Sequence, residues 1–355
     1  MKSGFARVFT SAEFDEIPIA DGGEGTLDAL VNATGGRTID CTVAGPAGEP
    51  VQAAYGVLSD GRTAVVELAR ASGLALVPQG RNDALAATTY GTGELISAAI
   101  DAGFRRIILA LGGSATSDGG CGALSALGAK FLDASGTALP RGGAALAALK
   151  SIDTAELARK LAGVSIDVAS DVQNPLCGPQ GAAAVYGPQK GASPDQVRHL
   201  DAALANFGAV CASLNGTDMQ AVPGAGAAGG TGGGFLALAG ARLCPGADLV
   251  LDAIGFDRRL KGASLLVTGE GRLDRQTLAG KAPYAAALRA RSLGVPVVAV
   301  AGSLHCSGDD LERLGLATAC SIIPAPMPLP EAMSKAAQLT ADAAERLALA
   351  LQLQF

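Results

Sequence analysis

The chain has 355 residues and a formal net charge of −6, with 49% hydrophobic and only 17% charged residues. At roughly 100 to 200 residues per domain this length implies two domains, and no apolar run approaches the roughly 18 residues of a membrane span. The acidic balance repels nucleic acid and anionic lipid, which leaves small molecules as the expected partners.

Seven scattered cysteines (Cys41, Cys121, Cys177, Cys211, Cys244, Cys306 and Cys320) form no Cys-x-x-Cys pair, so neither a disulfide framework nor a zinc site is indicated and a reducing cytoplasm is expected. The opening Met1-Lys-Ser-Gly-Phe-Ala-Arg7 lacks the apolar core of a secretion signal. Forty-nine glycines beside nine Phe, four Tyr and no Trp describe a chain of tight turns with no base-stacking platform.

In chain order, residues 1–12 read as the end of an amphipathic helix and Phe14–Ala20 as a strand. A helix over Thr26–Ala33 stops at Gly35-Gly36. Ile39–Val43, Val51–Val57 and Thr63–Leu68 alternate or run apolar between Gly-Pro and Asp60-Gly61 turns, which predicts an antiparallel meander. A helix over Gly93–Ala102 precedes a strand over Arg106–Leu111, a glycine loop and a helix ending near Leu127. The dozen residues Pro223–Gly234 are nearly all Gly and Ala, and read either as a linker or as a loop feeding an apolar helix. Leu249–Ile254, Ser264–Thr268, Pro283–Arg291, Val295–Ala301 and Ser321–Pro324 alternate as strand and helix before a terminal helix from Glu331. This pattern predicts an α/β protein: a discontinuous, Rossmann-like doubly wound domain (1–37 and 243–355) with an inserted α/β domain (38–242) containing a mixed sheet, and the active site in the cleft between them.

Glycine and carboxylate recur together just after apolar runs, in Asp21-Gly-Gly-Glu24-Gly25-Thr26, Gly112-Gly-Ser-Ala-Thr-Ser-Asp118-Gly-Gly120 and Gly269-Glu270-Gly-Arg-Leu-Asp274. Bare glycine N–H groups suit an anion, and acids beside them make sense only if a divalent cation or a proton transfer intervenes. Each acid also has a structural alternative. Asp118 is a helix cap or a base, and Asp21 and Glu24 are caps or ligands of metal or hydroxyl. Glu270 and Asp274 are hard-oxygen metal ligands or members of an ion-pair cluster with Arg272 and Arg275, with Lys281 near a helix start where it can meet phosphate. Asp171-Val-Gln-Asn174-Pro-Leu176 follows the apolar Val164–Ala169 and supplies either a base with a substrate-holding amide or a plain turn. His199 and His305 stand alone and are not expected to bind metal.

As a set, Ala20–Thr26, Gly112–Gly120, Asp171–Leu176, Gly226-Ala-Ala-Gly-Gly230 and Thr268–Thr277 with Gly280-Lys281 resemble the type I glycerate kinase family, in order from about residue 5 onward. The resemblance implies phosphorylation of D-glycerate by ATP, mostly to 2-phosphoglycerate, with Mg²⁺, in glyoxylate, glycolate or sugar-acid use. On that basis Gly112, Gly113, Ser114, Thr116, Asn174, Gly229 and Gly230 bind phosphate or substrate. Asp21, Glu24, Glu270 and Asp274 are the candidates for metal, and Asp171, Asp118 and Lys281 are the candidates for catalysis. A homo-oligomer is compatible with the pattern. The alternatives are a nicotinamide-dependent oxidoreductase, for which the full Gly-x-Gly-x-x-Gly fingerprint is missing, and a non-catalytic sugar-acid sensor, for which no nucleic-acid-binding module is visible. Members usually begin with a strand and an Asp-Ser-Phe-Lys-Gly-Ser loop, whereas this sequence starts inside the following helix. The natural chain is therefore expected to be longer, and a mass matching 355 residues for the protein purified from its own host would refute this.

Overall fold

A computed structural model describes residues 1–78, 80–274, 277 and 281–352. The chain forms two compact units, Ala20–Val250 and the pair of segments Met1–Ile19 with Leu251–Phe355.

The Ala20–Val250 unit is built on a six-stranded mixed sheet. Its strands are β1 (Arg37–Ala44), β2 (Pro50–Val57), β3 (Thr63–Glu67), β4 (Arg106–Ala110), β7 (Ser165–Ala169) and β8 (Arg242–Cys244), in that spatial order. The antiparallel β5 (Lys130–Leu132) and β6 (Ser151–Asp153) pair apart from it. The predicted meander is present: β1 pairs antiparallel with β2 in the register Arg37↔Val57 to Ala44↔Pro50, and β2 pairs antiparallel with β3. Asp60 shapes the second turn, its carboxylate accepting from Arg62 N and Thr63 N at 2.9 Å each. From β3 onward the pairs β3–β4, β4–β7 and β7–β8 are parallel. Their sequences fit, since Ile107–Ala110 and Ile166–Ala169 are buried on both faces, as parallel strands require.

The helix Thr26–Thr34 ends on Gly35 in the left-handed conformation and buries Leu27 and Leu30 completely. Side-chain-free Gly56 of β2 lets Leu27 and Val31 settle on the sheet. This packing puts residues 20–36 in the same unit as the meander. The division accordingly falls at 19/20 and 250/251, against the expected 37/38 and 242/243. On the other side of the meander, the helix Tyr90–Asp101 buries Leu95, Ile96 and Ala99. The long helix Pro194–Asn215 carries a full capping box from Ser193 and Gln196, and centres on Leu200, Leu204 and Phe207.

The Gly- and Ala-rich segment is no linker. It forms the buried helix Ala227–Ala239, whose first turn is non-helical at Ala228, Gly229 and Gly230, all with positive φ. A Cβ on Gly234 would collide with the carbonyl oxygen of Gly119, so the helix packs directly on the backbone of the Gly112–Gly120 loop.

In the other unit, β9 (Leu266–Leu273), β10 (Val297–Leu304) and β11 (Thr318–Ser321) form a parallel sheet in the order β11-β10-β9. Val298 and Val300 face a cluster made by Phe5 of the helix Lys2–Val8 and by Ala343, Ala344 and Leu347 of the helix Ala336–Gln352. The opposite face, where Thr268 pairs with Ala299, meets Pro283 and Tyr284 of the helix Ala282–Ser292. Helices on both faces of a parallel sheet are the Rossmann-like arrangement that the alternation predicted. Two expectations differ in detail. Phe14–Ala20 is not a strand: Pro18 has no N–H to give a ladder, and the acids beside it pair outward, Asp15 with Arg259 and Glu16 with Lys2. Leu249–Ile254 falls largely within the helix Gly246–Ala253.

Gly234→Ala should lower stability by about 1–3 kcal/mol, because the added methyl meets backbone that has no room to yield. Gly308→Ala, with open space around its Cβ, should be near neutral. Urea denaturation of both variants checks the pair.

Candidate active site

Because β3, β4, β7 and β8 run parallel, their carboxyl ends lie along one edge of the sheet, where open α/β sheets place their ligands. Four segments leave that edge: Leu68–Gly73, Gly112–Gly120, Ser170–Asn174 and the start of the helix at Gly246. The Asp21–Glu24 loop is fastened across three of these ends. Gly112 N donates to Gly22 O at 3.0 Å, a Cβ on Gly22 would press on Ala169 O, and one on Gly246 would strike Asp21 O. The sequence motifs of this unit therefore meet in space.

Asp171 stands at the centre of this group. Its Oδ1 accepts from Gly246 N at 2.8 Å, at the positive end of the helix Gly246–Ala253, where Ala247 N also favours the charged carboxylate. Its Oδ2 is buried and has no hydrogen-bond partner among the described residues. Burial pushes the Asp171 carboxyl up to about 6 despite the bond from Gly246, and the negative charges of Asp21 and Asp248 add to the rise. Asp21 is thus close enough to be felt electrostatically, and it accepts from Gly23 N at 3.3 Å. The Glu24 carboxylate lies directly over Gly113, where a Cβ would overlap it.

Asp118 has a different fate from the one expected of a base. It is fully buried, and its carboxylate accepts from Thr89 N (2.8 Å), Thr89 Oγ1 (2.9 Å), Gly120 N (3.1 Å) and Gly122 N (3.2 Å). It thereby ties the starts of two helices together, and desolvation raises its pKa. With its lone pairs committed, it braces the loop and has no capacity left to take a substrate proton. Asn174 is likewise engaged, donating to Gln180 O and accepting from Tyr186 OH at 2.8 Å each. Gly229 and Gly230 are buried against Thr116 and Gly119 and support the glycine loop from behind.

Ser114 and Thr116 do sit together. Ser114 is 8% exposed, Thr116 is fully buried, and the Lys190 ammonium reaches both, at 2.9 Å from Ser114 Oγ and 2.6 Å from Thr116 O. Lys190 was not singled out from the sequence. The signal was present, because it is the only charged residue between Asp171 and Asp195, set between Gly-Pro and Gly. Glu67 was missed in the same way: it ends an apolar strand, is 3% exposed, and accepts from Gly25 N and Leu27 N at 3.1 Å to cap the helix behind the Asp21 loop.

In the other unit, Glu270 is held by Thr277 Oγ1 (2.6 Å) and Lys281 Nζ (3.0 Å), and Asp274 pairs with Arg272 Nε at 2.8 Å. Lys281 precedes the helix Ala282–Ser292. The Asp274–Arg272 pair is one that the ion-pair alternative names, whereas Glu270 pairs with Lys281, and Arg275 and Gly280 lie outside the described residues. Among the described residues no three His, Cys, Asp or Glu side chains come together as a metal cage. Among the described residues no helix is long and apolar enough to cross a membrane. An open notch lined by Arg62, Arg105 and Arg106 lies at the amino ends of β3 and β4, the far end of the sheet from the glycine loops.

Comparison with known proteins agrees with the motif set. The Glycerate kinase family profile matches residues 1–352. A glycerate kinase of Bacillus subtilis (strain 168) is 46% identical over 353 residues, covering 99% of this chain and 92% of the relative. A glycerate 2-kinase of Escherichia coli (strain K12) is 44% identical over 304 residues, covering 86% and 80% respectively. A crystal structure from Salmonella typhimurium LT2, of a protein assigned as glycerate kinase 2, superposes with a TM-score of 0.89 at 42% identity, over 99% of this chain and 92% of that one. With a profile match from end to end and relatives this similar over nearly their whole lengths, the chain belongs to the glycerate kinase family.

Proposed function

We propose that this enzyme transfers the γ-phosphoryl group of ATP to the 2-hydroxyl of D-glycerate, giving 2-phosphoglycerate and ADP with the help of Mg²⁺. The observation that carries the reading is Asp171, whose one oxygen is fixed by a helix start while the other is buried and unpartnered. A carboxylate so placed, with its proton affinity raised toward neutrality, suits a general base. Asp171 takes the proton of the attacking hydroxyl as the new P–O bond forms and the bond to the β-phosphate breaks. Family membership supports a kinase over the oxidoreductase and sensor alternatives.

The residues fit a divalent cation. Asp21 lies close enough to Asp171 to disfavour the charge of Asp171, and Glu24 rests at the neighbouring turn. Asp21 and Glu24 would hold Mg²⁺, which needs few protein ligands once phosphate oxygens and water complete its octahedron, and bound there it would neutralise charge on the phosphates. Gly113 and Ser114 face the nucleotide or the acid with backbone N–H and hydroxyl groups, and Gly112, whose N–H is held by Gly22 O, fixes the turn beside them. Glu270 and Lys281 serve as a mutually neutralised pair that positions the start of their helix.

An assay of ADP formation with D-glycerate, with and without Mg²⁺, tests the whole reading, and turnover independent of either component would end it. Asp171→Asn should reduce kcat by about 10²–10⁴. Wild-type kcat should fall in acid as Asp171 gains its proton, at a pH below about 6 because bound Mg²⁺ would favour the charged carboxylate. The stability effect has the opposite sense. A carboxyl raised above its unfolded value contributes stability below about pH 4 that is lost as pH rises through about 6. Asp171→Asn keeps the acceptor for Gly246 N and should therefore be more stable than wild type at pH 8, by about 1 kcal/mol after screening of a half-buried group. Urea denaturation at pH 5 and pH 8 measures this.

A further inference from the structure

Lys190 is 2% exposed, at the end of the short turn Pro188–Lys190, and its side chain runs under the Gly112–Gly120 loop. An ammonium has three protons to give and accepts nothing. While Lys190 is protonated, Ser114 Oγ is the acceptor in the 2.9 Å contact, which leaves the hydroxyl proton of Ser114 for some other acceptor. None stands in reach among the described residues. Thr116 Oγ1 and Ser117 Oγ are also buried without partners, so the loop holds three hydroxyls whose donors are unused. Burial brings Lys190 down to about 7, and Asp118 is the charged neighbour that opposes the fall. A positive charge behind a buried hydroxyl makes that hydroxyl a stronger donor, and a buried donor without an acceptor is costly unless a ligand supplies one.

We propose that Lys190 is a positioning residue which holds the loop through Ser114 and Thr116 and turns the Ser114 hydroxyl toward an anionic oxygen of the ligand, a phosphate or a carboxylate. This rests on the kinase reading and adds to it the donor that receives the anion. Lys190 acts through Ser114 and does not itself touch the ligand.

Calorimetric binding of a non-hydrolysable ATP analogue and, separately, of D-glycerate to wild type, Lys190→Met, Ser114→Ala and the double variant tests the proposal. Each single change should weaken one of the two ligands about tenfold and leave the other within twofold, which identifies the oxygen as phosphate or carboxylate. The double variant should bind no more weakly than the worse single one, because both changes remove the same donor. Unchanged affinity for both ligands in Ser114→Ala, or additive losses in the double variant, overturns the proposal, even where Lys190→Met lowers thermal stability. If Lys190→Met does not fold, the Ser114→Ala result decides alone. Wild type that binds neither ligand overturns the kinase reading together with this one, whereas binding by wild type with indifferent variants overturns this one only.

Discussion

Contact between bare backbones organises the candidate active site. The Gly112–Gly120 loop touches the Asp21 loop in front, through Gly112 and Gly22, and the helix Ala227–Ala239 behind, through Gly119, Gly229 and Gly234. At these approaches there is no space for a single methyl group. Main-chain atoms rather than side-chain rotamers set the spacing, so the loop has little freedom to drift. A ligand that reads N–H groups meets a surface already in position. The glycine content that looks like flexibility in composition acts here as close packing.

Three kinds of environment divide the acids that composition cannot tell apart. Glu67 and Asp118 are buried and saturated with N–H and hydroxyl donors, and each fixes a helix start. Glu270 and Asp274 are matched with cations on their own strand-to-helix segment. Among these five acids Asp171 combines a buried, unpartnered oxygen with a like-charged neighbour. A carboxylate of the first kind stabilises the fold and one of the second is neutralised locally. One of the third kind stores unfavourable free energy that a cation or a proton relieves, the arrangement expected where chemistry is to be done.

Much of this was legible in the sequence, for physical reasons. Apolar runs such as Ile107–Leu111 are long enough and bare enough of charge to be buried parallel strands, and the turns at Asp60-Gly61 and Gly35 are dictated by local backbone chemistry. The motif order identified the family. The roles within the motifs were less accessible, because a cap and a base are the same residue type and differ only in how many donors surround them. Asp118 shows this: four residues of its own loop suggested an anion site, while two of the four donors that saturate it come from Thr89, about thirty residues earlier. Lys190 went unremarked because its partners lie about 75 residues upstream. Phe14–Ala20 has the look of a strand, but extended backbone becomes one only when a neighbour offers its ladder, and none does among the described residues.

The ends of the six-stranded sheet have a consequence of their own. At one margin, β1 carries Arg37 and Asp40 and is largely solvent-facing; at the other, β8 is only three residues long. A charged outer strand and a very short one are both poor templates for a strand from another molecule. The ends of this sheet are therefore not where another copy of the protein is expected to add a strand.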